Sequence, residues 1–367
     1  MRKKDWLLIG LLLSTYILLL FVFKKNAFTF RFDLKLITKY FQSQDITYGI
    51  KDRRIFLSDA DIYQATGYLY ALGYDPTQFN FEHPPLIKTL FGLSVLFFNN
   101  PYYVQILMGM LLVGFTYYLG KKVYNNDLIA FLAGLLLVID RLFLDVSAQT
   151  LLDLGQTLLF LGYFLAVFYW KNYWWEGIFL GLFASTKFWI TPMFFIVLFG
   201  GYLFLKKELE IKHFIIHLII AFGVYSLLYL QTFIYRKGLF NIVFHWFKTI
   251  KYRLVHNTSS LPGASLIMFS TGFFRTWWGK QQFIKSDPWS IIWPLALFFS
   301  ITKTWSLIFK RNLINLLGAI PFLYLLYLGV QAPFPRYFLI ILPFAYLNLA
   351  DFAVEWAFPP RKRKARS

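Results

Sequence analysis

The chain has 367 residues, of which 58% are hydrophobic, 22% aromatic and only 15% charged, with a mean hydropathy of +0.54. A water-soluble domain carries about a quarter charged residues, so that class is excluded. The 37 basic and 18 acidic residues give a net charge of +19, and there is no cysteine, which excludes disulfides, thiolate catalysis and Cys-ligated metal. The charges fall between apolar runs. That points to anionic headgroups or phosphate-bearing substrates as partners rather than nucleic acid.

Runs of roughly 20 apolar residues, each long enough to cross a bilayer as a helix, recur along the chain. Backbone groups in lipid must bond internally, and the alternation of an outer-membrane barrel is absent, so the expected fold is an all-α polytopic bundle of about ten transmembrane helices. The first run, 6–23, has a basic start and is followed by Lys24 and Lys25 with no small-residue cleavage site; it reads as a retained helix. A long loop, 24–100, comes next. It holds the polar segment Ser58–Leu86, SDADIYQATGYLYALGYDPTQFNFEHPPL, and then Leu86–Phe98, an apolar run too short to span comfortably. Further spans are expected at 101–120, 128–146, 150–170, 174–190, 191–205 and 214–235. A second long loop, 236–288, precedes the last three, 289–309, 313–330 and 337–357.

Ten spans place Arg2-Lys3-Lys4, Lys121-Lys122, Lys171, Lys206-Lys207, Lys310-Arg311 and the tail 358–367 on one face. The positive-inside rule makes that face cytoplasmic and puts both long loops outside. The expected organisation is one membrane domain, 1–357, with a basic cytoplasmic tail, in the cytoplasmic membrane. No internal repeat is visible.

The same topology gathers ionisable groups at the outer face, where such residues near membrane depth are functional candidates. Asp59 and Asp61 open the polar segment, followed by Tyr63, and Glu82 and His83 close it. At spacing two, the aspartates suit either a divalent cation or a general base for an acceptor hydroxyl. Pro84 and Pro85 rigidify the start of the next helix, which explains the prolines but not the acid and imidazole before them. Arg141, Asp145 and Asp153 flank the turn between the third and fourth spans, and Lys187 ends the fifth. Asp153 reads as lying within an apolar helix and needs a partner, which Arg141 or Lys187 would supply. His245, His256 and Arg275 fall in the second long loop, and Arg336 with Tyr337 opens the last span. The plainer alternative for each is a structural salt bridge or a snorkelling charge. His213 and His217 share a helix face at metal-like spacing, but on the other side of the membrane, with only Glu208 and Glu210 as nearby acids in sequence; an interfacial role is expected.

At these residues the chain resembles the GT-C superfamily of membrane glycosyltransferases, in particular the group of protein O-mannosyltransferases and 4-amino-arabinose lipid A transferases. Asp59, Tyr63 and Pro84-Pro85-Leu86 match the family's first outer loop, with Ala60 in place of its Glu and Asp61 as a stand-in. The run Ser147 to Asp153 is similar to the family's Ser-Arg-x-x-x-x-Asp, with Ala148 in place of the Arg. The segments GLFASTK (181–187), DPWSIIWPL (287–295) and Pro335-Arg336-Tyr337 with Pro343 are similar to three further family elements, in the family's order.

The resemblance implies an inverting glycosyltransferase that moves a sugar from a polyprenyl-phosphate donor to an acceptor hydroxyl outside the cytoplasm. Asp59, with Asp61, would be the catalytic carboxylate. Lys187, Arg275 and Arg336 would hold the donor phosphate, and Tyr63, Glu82, His83, Arg141, Asp153 and His256 would support the site. The lipid tail would lie in an apolar groove between helices. A divalent metal, if used, would sit at Asp59 and Asp61. The acceptor is a protein or a glycan; the tryptophan-proline element leans to a protein hydroxyl, while the lack of an appended soluble domain leaves glycolipid or polysaccharide equally open. Two other functions compete. A lipid-linked-sugar transporter would show repeats and midplane charges. A non-catalytic subunit of the same fold would account for Ala60 and Ala148.

Overall fold

The computed structural model describes residues 2–46, 55–236, 240–256, 261–276, 282–329 and 331–358. In chain order, α1 (Lys3–Phe23) leads to four short helices of the first loop, α2 (Asn26–Thr29), α3 (Lys35–Phe41), α4 (Asp59–Ala71) and α5 (Leu86–Phe98). Then come α6 (Tyr102–Tyr124), α7 (Asp127–Ile139), α8 (Arg141–Ser147), α9 (Asp153–Leu165) with a π-helical turn at Ala166–Trp170, and α10 (Tyr173–Ala184). They are followed by α11 (Ile190–Leu205), α12 (Ile211–Leu227), α13 (Leu230–Arg236), α14 (Phe240–His256) and α15 (Ala264–Thr271). An antiparallel ribbon of β1 (Phe273–Arg275) and β2 (Phe283–Lys285) precedes α16 (Ile292–Phe309), α17 (Leu313–Leu328), a 3-10 turn (Pro335–Ile341) and α18 (Leu342–Ala357).

Each expected span finds helix within a few residues, and the fold is the expected all-α polytopic class. Among the described residues, four helical segments have the length and apolarity to cross a membrane: Lys3–Phe23, Tyr102–Tyr124, Ile292–Phe309 and Pro335–Ala357. Short polar residues start several others. Asn126, Asn172 and Asn312 cap α7, α10 and α17 by accepting backbone N–H groups with their side chains.

Two expected spans are broken. The run 128–146 divides at Asp140, which leaves the helix with extended backbone; its carboxylate accepts the Trp293 indole N–H at 2.9 Å and the Tyr346 hydroxyl. A buried carboxylate held by two donors outweighs one more helical turn. The run 214–235 divides into α12 and α13 around Leu228 and Tyr229.

The chain groups into two compact units. The first comprises 1–16, 113–141 and 260–367, the second 17–112 and 142–259. In the first, α18 packs on α7 and α16, and α16 on α17, with Lys303 and Asp351 paired at 3.1 Å across the α16–α18 seam. In the second, α10 packs on α9 and α12, and α4 on α5. The α4–α5 seam is backbone against backbone. A Cβ at Gly67 would strike the Lys88 carbonyl and one at Gly92 the Gly67 carbonyl, so only glycine allows this approach.

Candidate active site

The second unit assembles most of the sequence candidates around the start of α4. Ser58 caps that helix: its Oγ accepts the Asp61 N–H at 3.2 Å and donates to Asp61 Oδ2 at 2.7 Å. Asp61 is thereby oriented and half-buried, while Asp59 stands exposed one residue into the helix. Both carboxylates sit in the first turn, where the unpaired N–H groups of a helix favour negative charge.

Tyr63 and His83 are both buried, with their rings edge to face at 5.7 Å. The loop that carries His83 is tied down from beneath by Lys88 on α5. Its ammonium is fully buried and donates to His83 O (2.7 Å), Asn80 O (2.9 Å), Asn80 Oδ1 (3.2 Å) and the Tyr70 hydroxyl (3.2 Å). Burial pulls the Lys88 ammonium down to about 7, against the opposing pull of Asp45 and Glu82. Asp45 completes the network, accepting from Tyr40 Oη (2.5 Å), Asn80 Nδ2 (3.0 Å) and Asn80 N (3.2 Å). Burial, reinforced by Asp45, pushes the Tyr40 hydroxyl well above its ordinary range.

A second strand of the site comes from the turn before α9. Thr150 Oγ1 donates to Ala60 O at 3.0 Å and accepts from Gln64 Nε2 at 2.9 Å, linking that turn to α4. Asp153 is the first residue of α9, where the sequence suggested a position within a helix, and its Oδ1 lies 2.5 Å from Lys187 Nζ. Lys187, one of the two partners the sequence offered Asp153, is thus in ion-pair contact with it. Asp145 pairs with Lys24 at 2.6 Å. The Leu86 N–H donates to Ser185 O at 3.3 Å, so the end of EHPPL meets the end of GLFASTK.

Glu82 is half-buried and lines a cleft with Phe81, Pro84, Trp189, Tyr229 and His245. Trp189, Tyr225 and Trp246 border both this cleft and an apolar groove of about 510 Å³ formed chiefly by α10, α11, α12 and α14. Leu180, Ala184, Pro192, Met193 and Ile196 line the groove on the side that flanks Lys187 in sequence.

Three of the remaining candidates, Arg141, Arg275 and Arg336, belong to the first unit. Arg141 is exposed at the start of α8, and Arg275 is exposed on β1, a ribbon that helical periodicity did not suggest. Arg336 is half-buried in the 3-10 turn, its guanidinium against the rings of Phe334 (4.9 Å) and Tyr337 (5.8 Å). The side chain of His256, on α14, lies outside the described residues. Among the described residues no three His, Asp or Glu side chains converge as a metal site needs, so no step is derived through a metal at Asp59 and Asp61.

Sequence reasoning passed over Gln64, Thr150, Lys88 and Trp189, while it named His245 as a candidate. A lysine or glutamine in an apolar run reads as interfacial, and nothing in the sequence says that three carbonyl-type oxygens surround Lys88.

No protein-family model matches the sequence, and no curated protein matches it. Among solved structures, the chain is similar to the crystal structure of ArnT from Cupriavidus metallidurans bound to undecaprenyl phosphate. The TM-score is 0.61 at 11% identity, over 95% of this chain and 60% of that one. The apo crystal structure of the same protein gives 0.58 at 12%, over 86% and 58%. The chain therefore spans less than two thirds of the ArnT chain it matches. At such identity the likeness shows the fold alone: the chain shares the fold of the ArnT structures.

Proposed function

We propose that this protein is an inverting glycosyltransferase that takes its sugar from a polyprenyl-phosphate donor and acts at the extracytoplasmic face of the cytoplasmic membrane. The observation that carries the reading is the apolar groove whose lining flanks Lys187 in sequence and shares Trp189, Tyr225 and Trp246 with the Glu82 cleft, set in a fold whose ArnT counterpart was crystallised with undecaprenyl phosphate. A polyprenyl chain is apolar along its length and ends in an anion. A groove walled by Leu180, Met193, Ile196 and Phe222 suits the chain, and Lys187 suits the anion.

In this mechanism Asp59 accepts the proton of the acceptor hydroxyl as its oxygen attacks the anomeric carbon. The bond from that carbon to the phosphate oxygen breaks, and the phosphate leaves with the electron pair. Lys187, Arg275 and Arg336 stabilise the departing phosphate, the arginines as planar forks and the lysine as a point charge. Asp61, held by Ser58, keeps the local field negative and supports Asp59 as a base. Tyr63, Glu82, His83, Arg141, Asp153 and His256 support the site, and the acceptor is a hydroxyl of a protein or glycan.

The test uses the full chain in detergent with a panel of polyprenyl-phosphate sugars and a cell-envelope acceptor fraction, following free polyprenyl phosphate. Sugar-dependent release that falls at least about a hundredfold in Asp59→Asn is expected. Release at the wild-type rate in Asp59→Asn would remove Asp59 from the mechanism. An absence of release with every donor would remove the transferase reading.

A further inference from the structure

A second cavity lies in the second unit at the N-terminal end of α10, the end opposite the one that leads to Lys187. It measures about 330 Å³, and the proposed transfer reaction makes no use of it. Glu176, 5% exposed, and His217, 3% exposed, are buried polar groups of its lining. The sequence offered His213 and His217 only Glu208 and Glu210 as neighbouring acids; the acid they actually meet is Glu176, from another helix.

His213 Nε2 bonds one carboxylate oxygen, Glu176 Oε1, at 2.9 Å. The other, Oε2, has His217 Nδ1 at 3.6 Å, beyond hydrogen-bond reach. His217 is 3% exposed, lines the cavity, and has no hydrogen-bond partner at either ring nitrogen among the described residues. Leaving the buried His217 imidazole without a hydrogen bond beside a carboxylate is costly unless something occupies the space next to it.

The chemistry of the lining selects the occupant. A carboxylate accepts hydrogen bonds only, and a neutral imidazole supplies one lone pair. Tyr163 and Phe214 add aromatic faces, which attract cations. Glu210 and Lys171 stand at the exposed rim, and Glu208 there is paired with Lys206 at 2.6 Å, so the preference for a cation comes from the interior, from Glu176 and the aromatic faces. The backbone is also unusual here: the π-helical turn of α9 ends in Lys171, whose φ is +48°, and it sets Val167 and Lys171 on the rim. Such turns within α-helices are frequent at functional sites.

We propose that this cavity binds a primary ammonium group, carried by a phospholipid headgroup or by a free amine, with Glu176 and His217 accepting its N–H bonds. Three N–H donors and one positive charge match the unspent acceptors, and a quaternary ammonium, lacking the donors, binds less well. The site is independent of the transferase reading.

The test is native mass spectrometry of the full chain in detergent, titrated with phosphatidylethanolamine, phosphatidylcholine or phosphatidylglycerol. Thermal unfolding followed by tryptophan fluorescence is run in parallel with ethanolamine hydrochloride against sodium chloride at equal ionic strength. The expected result is preferential retention of phosphatidylethanolamine over both other lipids, weakened about tenfold or more in Glu176→Gln and in His217→Phe. His217→Phe keeps the bulk and leaves the Glu176–His213 contact in place, so it carries the test if Glu176→Gln unfolds. Stabilisation by ethanolamine alone assigns the site to free amines as well; retention of the lipid without that stabilisation assigns it to the headgroup. Equal retention of all three lipids with no ethanolamine effect, or folded variants that bind as wild type, would overturn the proposal.

Discussion

The Asp153–Lys187 pair separates a structural lysine from one that holds a leaving phosphate. In Lys187→Met, Asp153 loses the ammonium 2.5 Å away while its side chain remains only 5% exposed. Removing one partner of a buried pair costs about 3–5 kcal/mol. The N-terminal position of Asp153 on α9 returns about 0.5–1 kcal/mol of that through the helix dipole. The expected loss is therefore about 2–4 kcal/mol by denaturant unfolding in detergent. Asp153→Asn removes the charge that needed the lysine, so Lys187→Met/Asp153→Asn should lose less than the two single changes summed, with a coupling of about 1–3 kcal/mol. Activity is the second readout. A lysine that only neutralises Asp153 lets the double variant recover turnover. A lysine that also holds the donor phosphate leaves it inactive though stable, which is the outcome the proposed mechanism requires. Additive stability losses would refute the pairing argument, and a stable, fully active Lys187→Met would refute both roles.

Lys88→Met should lose about 3–5 kcal/mol, because the Asn80 and His83 oxygens would lose a buried charged donor. The same lysine gives a pH signature. Its folded value of about 7 lies below the ordinary lysine value of 10.5, so between these pH values the unfolded chain binds more protons, and stability should rise with pH across that window in wild type but not in Lys88→Met. Gly67→Ala should destabilise by more than about 1 kcal/mol, since its methyl group meets the Lys88 carbonyl; an unchanged unfolding midpoint would contradict the close α4–α5 approach. Ile196→Trp should crowd the apolar groove and raise KM for long-chain polyprenyl donors more than for short-chain ones; an equal change for both would argue that the tail lies elsewhere.

The sequence carried the fold because the bilayer imposes a coarse rule: long apolar runs must be helices, and most ends were legible from Asn, Lys and Pro. It did not carry the breaks. Asp140 interrupts a helix because Trp293 and Tyr346 satisfy its carboxylate, and those donors are 153 and 206 residues away in sequence. The ribbon carrying Arg275 is three residues per strand, too short for a period to register. At the candidate site, Ser58, Asp59, His83 and Lys187 were visible as polar residues in apolar surroundings. The partnership of Glu176 with His213 was not, because 37 residues separate them and each alone looks like an interfacial charge.

Ala60 and Ala148 sharpen the same point. The resemblance to GT-C enzymes sets a Glu and an Arg at these two positions, and the sequence sends attention to Arg141 as a replacement charge. The structure makes the connection without charge. Ala60 contributes only its carbonyl, which accepts from Thr150, and Thr150 in turn accepts from Gln64. Thr150 is fully buried and Gln64 nearly so. A neutral relay in that setting avoids the desolvation that an ion pair must offset, and it is insensitive to salt. It still fixes the turn before α9, and with it Asp153, against the helix that presents Asp59. Where Ala60 stands, the tie between α4 and the turn before α9 therefore needs no charged side chain.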